Sequence, residues 1–228
     1  MSSGLSNRRQ PHEQENLSKS LLRRLVSSTA ACQKLARSPK ESRPMITDDF
    51  TQALQIGQAA PDFLLRDTDG NDRSLSDFAD SNFLVVIFTC NHCPYVLGSD
   101  ARVEAVIARY KERGVGFVGI NSNDAARYPQ DSYEFMQKRA PELGYTYLHD
   151  PSQAVARHYG AQLTPEFFIF DADRTLCWHG TIDDSPRDAS KATTQWLDDA
   201  LEDLTGSGQL RVQTTQIQGC SVKWLEAH

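Results

Sequence analysis

Six consecutive apolar residues, Phe83-Leu84-Val85-Val86-Ile87-Phe88, run through Thr89 into Cys90-Asn91-His92-Cys93-Pro94-Tyr95. An apolar run with no polar break reads as a strand buried on both faces, and such a strand needs helices covering its sheet on each side. Pro94 suits the first position of a helix, where its missing N–H costs nothing. Two cysteines spaced C-x-x-C thus stand where a buried strand passes into a helix. A helix N-terminus carries unpaired N–H groups and partial positive charge, and both stabilise a thiolate. The thiolate is the form of cysteine that attacks a disulfide or a peroxide. Cys93 falls at the N-cap and is the better placed of the two. The pattern points to redox chemistry. Two other readings compete with it. A zinc site usually takes a second pair of Cys or His at similar spacing, and the chain has neither a second C-x-x-C nor an H-x-x-x-H. The third reading is a structural pair of buried thiols.

The motif sits in a segment, residues 47–205, that reads as one α/β domain. Residues 59–67 alternate as a strand and end in the turn Asp67-Thr68-Asp69-Gly70. Residues 74–78 suggest a short helical turn. Tyr95 to Arg113 has a helical apolar stripe of Val96, Val103, Val106, Ile107 and Tyr110, closed by Gly114 and Gly116. Val115–Asn121 reads as a second central strand, 131–140 as a helix stopped by Pro141, and 145–148 as a short strand. Residues 152–159 suggest a helix capped by Asp150 or Ser152 and ended by Gly160. Strands follow at 166–170 and 175–180 around the turn 171–174, and 189–204 forms the last helix. Strands alternating with helices predict a mixed sheet flanked by helices.

Thr164-Pro165 enters the strand 166–170. A proline there cannot donate to the sheet ladder. Paired with an earlier C-x-x-C, it is expected to be cis and to face the thiols. The backbone of Thr164 would then be open for pairing with an extended substrate. With these residues in view, the chain resembles the thioredoxin-like superfamily over about residues 55–205. More narrowly it is similar to the redoxin branch, which holds peroxiredoxins of the alkyl hydroperoxide reductase/thiol-specific antioxidant type and the thiol–disulfide oxidoreductases of cytochrome c maturation. The resemblance rests on Gly57-x-x-Ala60-Pro61-Asp62-Phe63, on Asp67-x-x-Gly70, on the strand with its C-x-x-C, and on Thr164-Pro165 with its hairpin. The 72 residues from Cys93 to Pro165 match the extra strand and helix of redoxins. The implied fold is thioredoxin-like, with a basic polar N-terminal extension (1–46) that includes a helix, and a C-terminal tail (206–228) carrying Cys220.

The resemblance implies roles for single residues. Counted from Phe88, Cys93 rather than Cys90 falls where redoxins place the attacking thiol, and Thr89 stands where thioredoxins carry an aromatic residue. Cys90 or Cys220 would resolve the mixed disulfide. Thr164 and Pro165 would position the substrate, and His92 would lower the pKa of a neighbouring thiol as a cation. The peroxidatic P-x-x-x-T-x-x-C pattern is departed from, because Val86 and Cys90 occupy its Pro and Thr positions, and no arginine is identified for activating peroxide. Glu166 reads as a strand-edge charge, with proton acceptor as the alternative. Cys177 reads as a core residue, Cys32 as incidental, and His149, His158 and His179 as surface or capping residues. The tail around Gly219-Cys220-Ser221-Val222 reads either as a docked strand or turn, or as a flexible arm bearing a second thiol.

Charge and cysteine usage bound the rest. The net charge of −6 is uneven: residues 1–40 carry +6 and the remainder −12, which gives no support for nucleic-acid binding. No apolar run is long enough to span a bilayer. Five scattered cysteines suit a reducing compartment, the cytoplasm, rather than a disulfide scaffold. Leu17, Leu21, Leu22, Leu25 and Val26 recur at helical spacing in a basic, Ser-rich start, which leaves organelle targeting as the alternative. The leading expectation is a thiol–disulfide oxidoreductase with no cofactor and no metal, acting on a protein or small-molecule disulfide and recharged by a thiol reductant. The alternatives are a thiol peroxidase, and a Cu- or Zn-binding metallochaperone module using Cys90, His92 and Cys93.

Overall fold

The protein is described from a computed structural model covering residues 54–226. The N-terminal amphipathic stripe and Cys32 lie outside the described residues. A seven-stranded sheet forms the centre. Its strands are β1 (Leu64–Asp67), β2 (Asp72–Ser74), β3 (Phe83–Phe88), β4 (Val115–Asn121), β5 (Thr146–His149), β7 (Glu166–Phe170) and β8 (Leu176–Gly180), in the order β2-β1-β5-β4-β3-β7-β8. The strands β3, β4 and β5 run parallel, while β1 and β7 join them antiparallel. The sheet is mixed, as the alternation of elements predicts. A separate pair joins β6 (Leu163–Thr164) to β9 (Cys220–Ser221).

Every residue of β3 is buried, and its two-residue period divides the core. Phe83, Val85 and Ile87 face a cluster with Val103, Ile107 and Tyr110 of α1 (Pro94–Tyr110) and Leu197 and Leu201 of α4 (Trp196–Thr205). Leu84, Val86 and Phe88 face the other cluster, with Phe168, Phe170 and Tyr159, the last from α3 (Ala154–Tyr159). Side chains alternate across a strand, so one continuous apolar run supplies both layers.

Element boundaries differ from expectation where local chemistry competes. The first strand is shorter, because Pro61 cannot extend the ladder; Ala59 makes only an isolated bridge to Thr175, and the unforeseen β2 returns against β1. The last helix starts at Trp196, not 189. The Asp184 carboxylate accepts the backbone N–H groups of Thr193 and Thr194 and holds them out of a helix. The helix expected over 131–140 is confined to α2 (Tyr133–Arg139), framed by 3-10 turns at Pro129–Asp131 and Ala140–Glu142. The N-cap of α3 is Gln153, in the left-handed region at φ 62°. Asp150 and Ser152 nonetheless serve the helix start, accepting from the N–H of Ala156 and of Ala154.

The tail is docked. Its backbone pairs with β8 through His179 and Thr215 and then reaches β6 through β9. Among the described residues no helix is long and apolar enough to cross a membrane.

Candidate active site

Strand β3 ends and helix α1 begins within six residues, and this junction fixes the thiols. Cys93 is the N-cap of α1, with Pro94 in its first turn. Both Cys90 and Cys93 are buried, and with Val96 they form a small cluster against which Tyr95 and Cys220 pack. All four described cysteines are free thiols. The Thr164–Pro165 peptide is cis. Thr164 faces both cysteines: its Oγ1 lies 3.5 Å from Cys90 Sγ, and its carbonyl accepts from Cys93 Sγ at 3.2 Å when that sulfur is protonated.

The two thiols are driven apart electrostatically. The Cys93 pKa lies well below the ordinary thiol range. The Cys90 thiol donates a hydrogen bond to it, and the Cys220 thiol and the N–H groups of Val96 and Tyr95 add to this, against the opposing cost of burial. Cys90 moves strongly upward, because it gives its proton to that bond, is buried, and sits beside the carboxylate of Asp131. Burial also raises Cys220, as does its bond to Cys93. Of the three sulfurs, Cys93 is the one on which negative charge is favoured.

Asp131 is a site residue that sequence reasoning missed. It is fully buried, and it accepts from the Asn91 N–H and the Asn123 side chain, each at 2.7 Å. His92 Nδ1 lies 2.7 Å from its carboxylate, and the imidazole, 26% exposed, stacks on Tyr128. His92 is therefore turned toward Asp131, whereas the groups that lower Cys93 are thiols and backbone N–H groups. Cys90, His92 and Asp131 each bring a ligand atom within 4.8 Å of the others, an S/N/O set able to hold a soft divalent ion. Tyr147 and Arg139 secure the same loop by donating to the side chain and carbonyl of Asn91. The guanidinium of Arg139 is also paired with Asp100. The polar run Asn121-Ser122-Asn123-Asp124 at the C-terminal end of a central strand was the available signal, because sites in α/β sheets gather at that end.

Two readings of single residues are corrected. Glu166 is not a strand-edge charge: it is fully buried in the interior strand β7, and its carboxylate accepts from the N–H groups of Gln162 and Leu163. His179 is not a surface residue, for its Nε2 meets the same carboxylate at 2.7 Å and its ring stacks on Phe168. The Glu166–His179 pair staples the loop that carries Thr164. Cys177 is buried among core residues, as expected. Cys220 lies on β9, paired in register with Thr164, so the thiol is held at the site and not carried on a loose arm. A cleft of about 310 Å³ between α1 and the start of α4 is lined by Arg102, Arg109, Asp183 and Gln195 and contains no cysteine.

Comparison with known proteins gives this geometry a setting. A crystal structure of an uncharacterized conserved protein from Geobacillus kaustophilus is 39% identical, with a TM-score of 0.70 over 76% of this chain and 94% of that one. A hypothetical protein from Sinorhizobium meliloti 1021 is 35% identical, with a TM-score of 0.70 over 77% and 98%. Among curated proteins, a chloroplastic peroxiredoxin Q from Suaeda salsa is 26% identical over 158 residues, 66% of this chain and 68% of the relative. One from Oryza sativa subsp. japonica is 31% identical over 104 residues, and the match spans 45% of that relative's length. Residues 55–196, more than half of the chain, match the family described as Redoxin, and it is to the Redoxin family that this chain belongs.

Proposed function

We propose that the protein is a thiol–disulfide oxidoreductase whose attacking sulfur is Cys93. The observation that carries this reading is the setting of that sulfur, where helix N–H groups and two neighbouring thiols stabilise the thiolate. Cys93 Sγ attacks one sulfur of a substrate disulfide. The S–S bond breaks, a Cys93–substrate bond forms, and the other substrate sulfur leaves as a thiolate that takes a proton from solvent. Cys90 then loses its proton and attacks Cys93 Sγ, forming the Cys90–Cys93 bond and releasing the second substrate thiol. One substrate disulfide is reduced, two protein thiols are oxidised, and a dithiol reductant restores them.

Burial and the Asp131 carboxylate still oppose charge on Cys90 once Cys93 is bonded to substrate, so the second step needs an acceptor. We assign that role to Asp131, with His92 as the outlet to solvent. Cys220 is the alternative resolving thiol, supported by its hydrogen bond to Cys93. Residues 47–205 are taken as the catalytic domain, between an N-terminal extension (1–46) and the tail 206–228. The reading fits a reducing compartment, the cytoplasm, with an organelle as the alternative.

The test is reduction of insulin by the protein with dithiothreitol. Cys93→Ser is expected to abolish turnover, and Cys90→Ser to accumulate a mixed disulfide on Cys93. Full activity in Cys93→Ser would overturn the assignment. Hydrogen peroxide consumed faster than insulin disulfides, with the same reductant, would favour the peroxidase reading instead.

A further inference from the structure

An enzyme that takes an extended protein disulfide needs a free backbone edge beside its attacking sulfur. Here that edge is occupied by the chain itself. Leu163 pairs with Ser221 and Thr164 with Cys220, antiparallel, and the Val222 N–H continues the ladder to the Gln162 carbonyl at 2.8 Å. The pairing delivers the Cys220 sulfur to Cys93, to which it donates a hydrogen bond. The segment is also anchored beyond the strand. Val222 is only 2% exposed. Asn123 accepts the Lys223 N–H, Gln153 donates to the Lys223 carbonyl and accepts the Leu225 N–H, and Trp224 lies under the Arg157 guanidinium. Gly219 shows how close the approach is: a Cβ there would stand 2.5 Å from the Thr164 carbonyl oxygen and 2.9 Å from its carbon, both fixed backbone atoms.

Resting on Cys93 as the attacking thiol, we propose that Gly219-Cys220-Ser221-Val222 is a resident occupant of the substrate edge, with Cys220 standing where a substrate sulfur stands. Its register then describes the substrate class: protein disulfides in an extended segment with glycine directly before the attacked cysteine and an aliphatic residue two positions after it. Such a segment binds by displacing residues 219–225. Small disulfides need no backbone edge, and for them only the Cys220 side chain has to move off the buried Cys93 sulfur. In the peptide reaction Cys93 Sγ bonds to the peptide cysteine, the peptide S–S bond breaks, and the departing sulfur leaves as a thiolate that is protonated by solvent. The chain's second thiol and the dithiol reductant complete the cycle as above.

The experiment uses the full chain and two disulfide-linked peptide dimers, one with the sequence of residues 216–225 and one carrying alanine in place of glycine before the cysteine. The variants Gly219→Ala and Val222→Asp, each checked for native circular dichroism, are designed to unseat the strand without touching the thiols at residues 90 and 93. In the unsubstituted protein the glycine peptide is expected to be reduced about tenfold faster, in kcat/KM, than the alanine peptide. In both variants turnover of the glycine peptide is expected to rise about tenfold, and by at least about threefold more than the single-turnover reaction of Cys93 with a small aromatic disulfide. Equal rates for the two peptides, or no gain in either variant, would overturn the proposal. If the small disulfide reacts equally well with a Cys93→Ser chain, the attacking-thiol reading fails, and the proposal fails with it.

Discussion

Cys90 and Cys93 lie three positions apart in the sequence and titrate in opposite senses. Cys93 sits at the positive end of α1 and receives a hydrogen bond from Cys90, so charge on it is favoured. Cys90 supplies that bond beside a buried carboxylate, so charge on it is opposed. Because the Cys93 pKa is lowered, its thiolate persists below the ordinary thiol range and is lost only as pH falls through the depressed value. Alkylation of Cys93 by iodoacetamide is expected to change by less than about threefold between pH 8 and pH 6, where an ordinary thiol near pKa 8.5 would slow by nearly two orders of magnitude. A rate that falls with the ordinary thiol curve would refute the lowered value. Asp131→Asn removes the proposed proton acceptor but keeps a side chain able to accept from the Asn91 N–H. It is expected to leave attack by Cys93 within about twofold and to slow resolution by roughly 10²-fold at pH 7, with recovery as pH rises, because general-base assistance is worth about 10²–10⁴. Quenched-flow trapping of the mixed disulfide separates the two steps.

At the scale of elements, two devices position the site. The segment between β4 and α3 is the insertion signalled by the long gap from Cys93 to Pro165, and it brings Asp131, Arg139 and Tyr147 onto the C-x-x-C loop. Its existence was legible in the spacing. Its contribution to the site was not, because Asp131 is distinguished only by what surrounds it once folded. The second device is the Glu166–His179 pair between β7 and β8, which holds the loop carrying Thr164. Sequence could not tell this carboxylate from an edge charge, since an edge strand and an interior one share the same local pattern. His179→Ala leaves Glu166 buried without one of its donors. Leaving a buried acceptor short of a hydrogen-bond partner costs about 1–3 kcal/mol, so denaturant unfolding should show a loss of that order. Amide exchange at Leu163 and Thr164 should rise more than at Phe168. A loss below about 1 kcal/mol would mean that the pair is not structural.

Over the whole molecule, three segments far apart in sequence meet at one sulfur: the strand–helix junction at 90–93, the loop at 164–165, and the tail at 220. Cys93 therefore has two possible disulfide partners. Equilibration in a glutathione redox buffer followed by mass-spectrometric mapping is expected to show Cys90–Cys93 as the main bond in the unsubstituted protein and a Cys93–glutathione mixed disulfide in Cys90→Ser; a Cys93–Cys220 bond in that variant would make Cys220 the resolving thiol. No bond under oxidising conditions would argue against redox function at this site. The sequence by itself determined the mixed α/β fold, the thiol pair at a helix start and the privileged place of Cys93. These follow from periodicity, from proline and glycine positions, and from a motif contiguous along the chain, all properties of neighbouring residues. Only the tertiary structure decided that Asp131 faces Cys90, that Glu166 and His179 are buried partners, and that Cys220 lies against Cys93 on a docked strand. Each of these depends on groups separated by tens of residues, whose burial and pairing arise only when the sheet, the insertion and the tail close on one another.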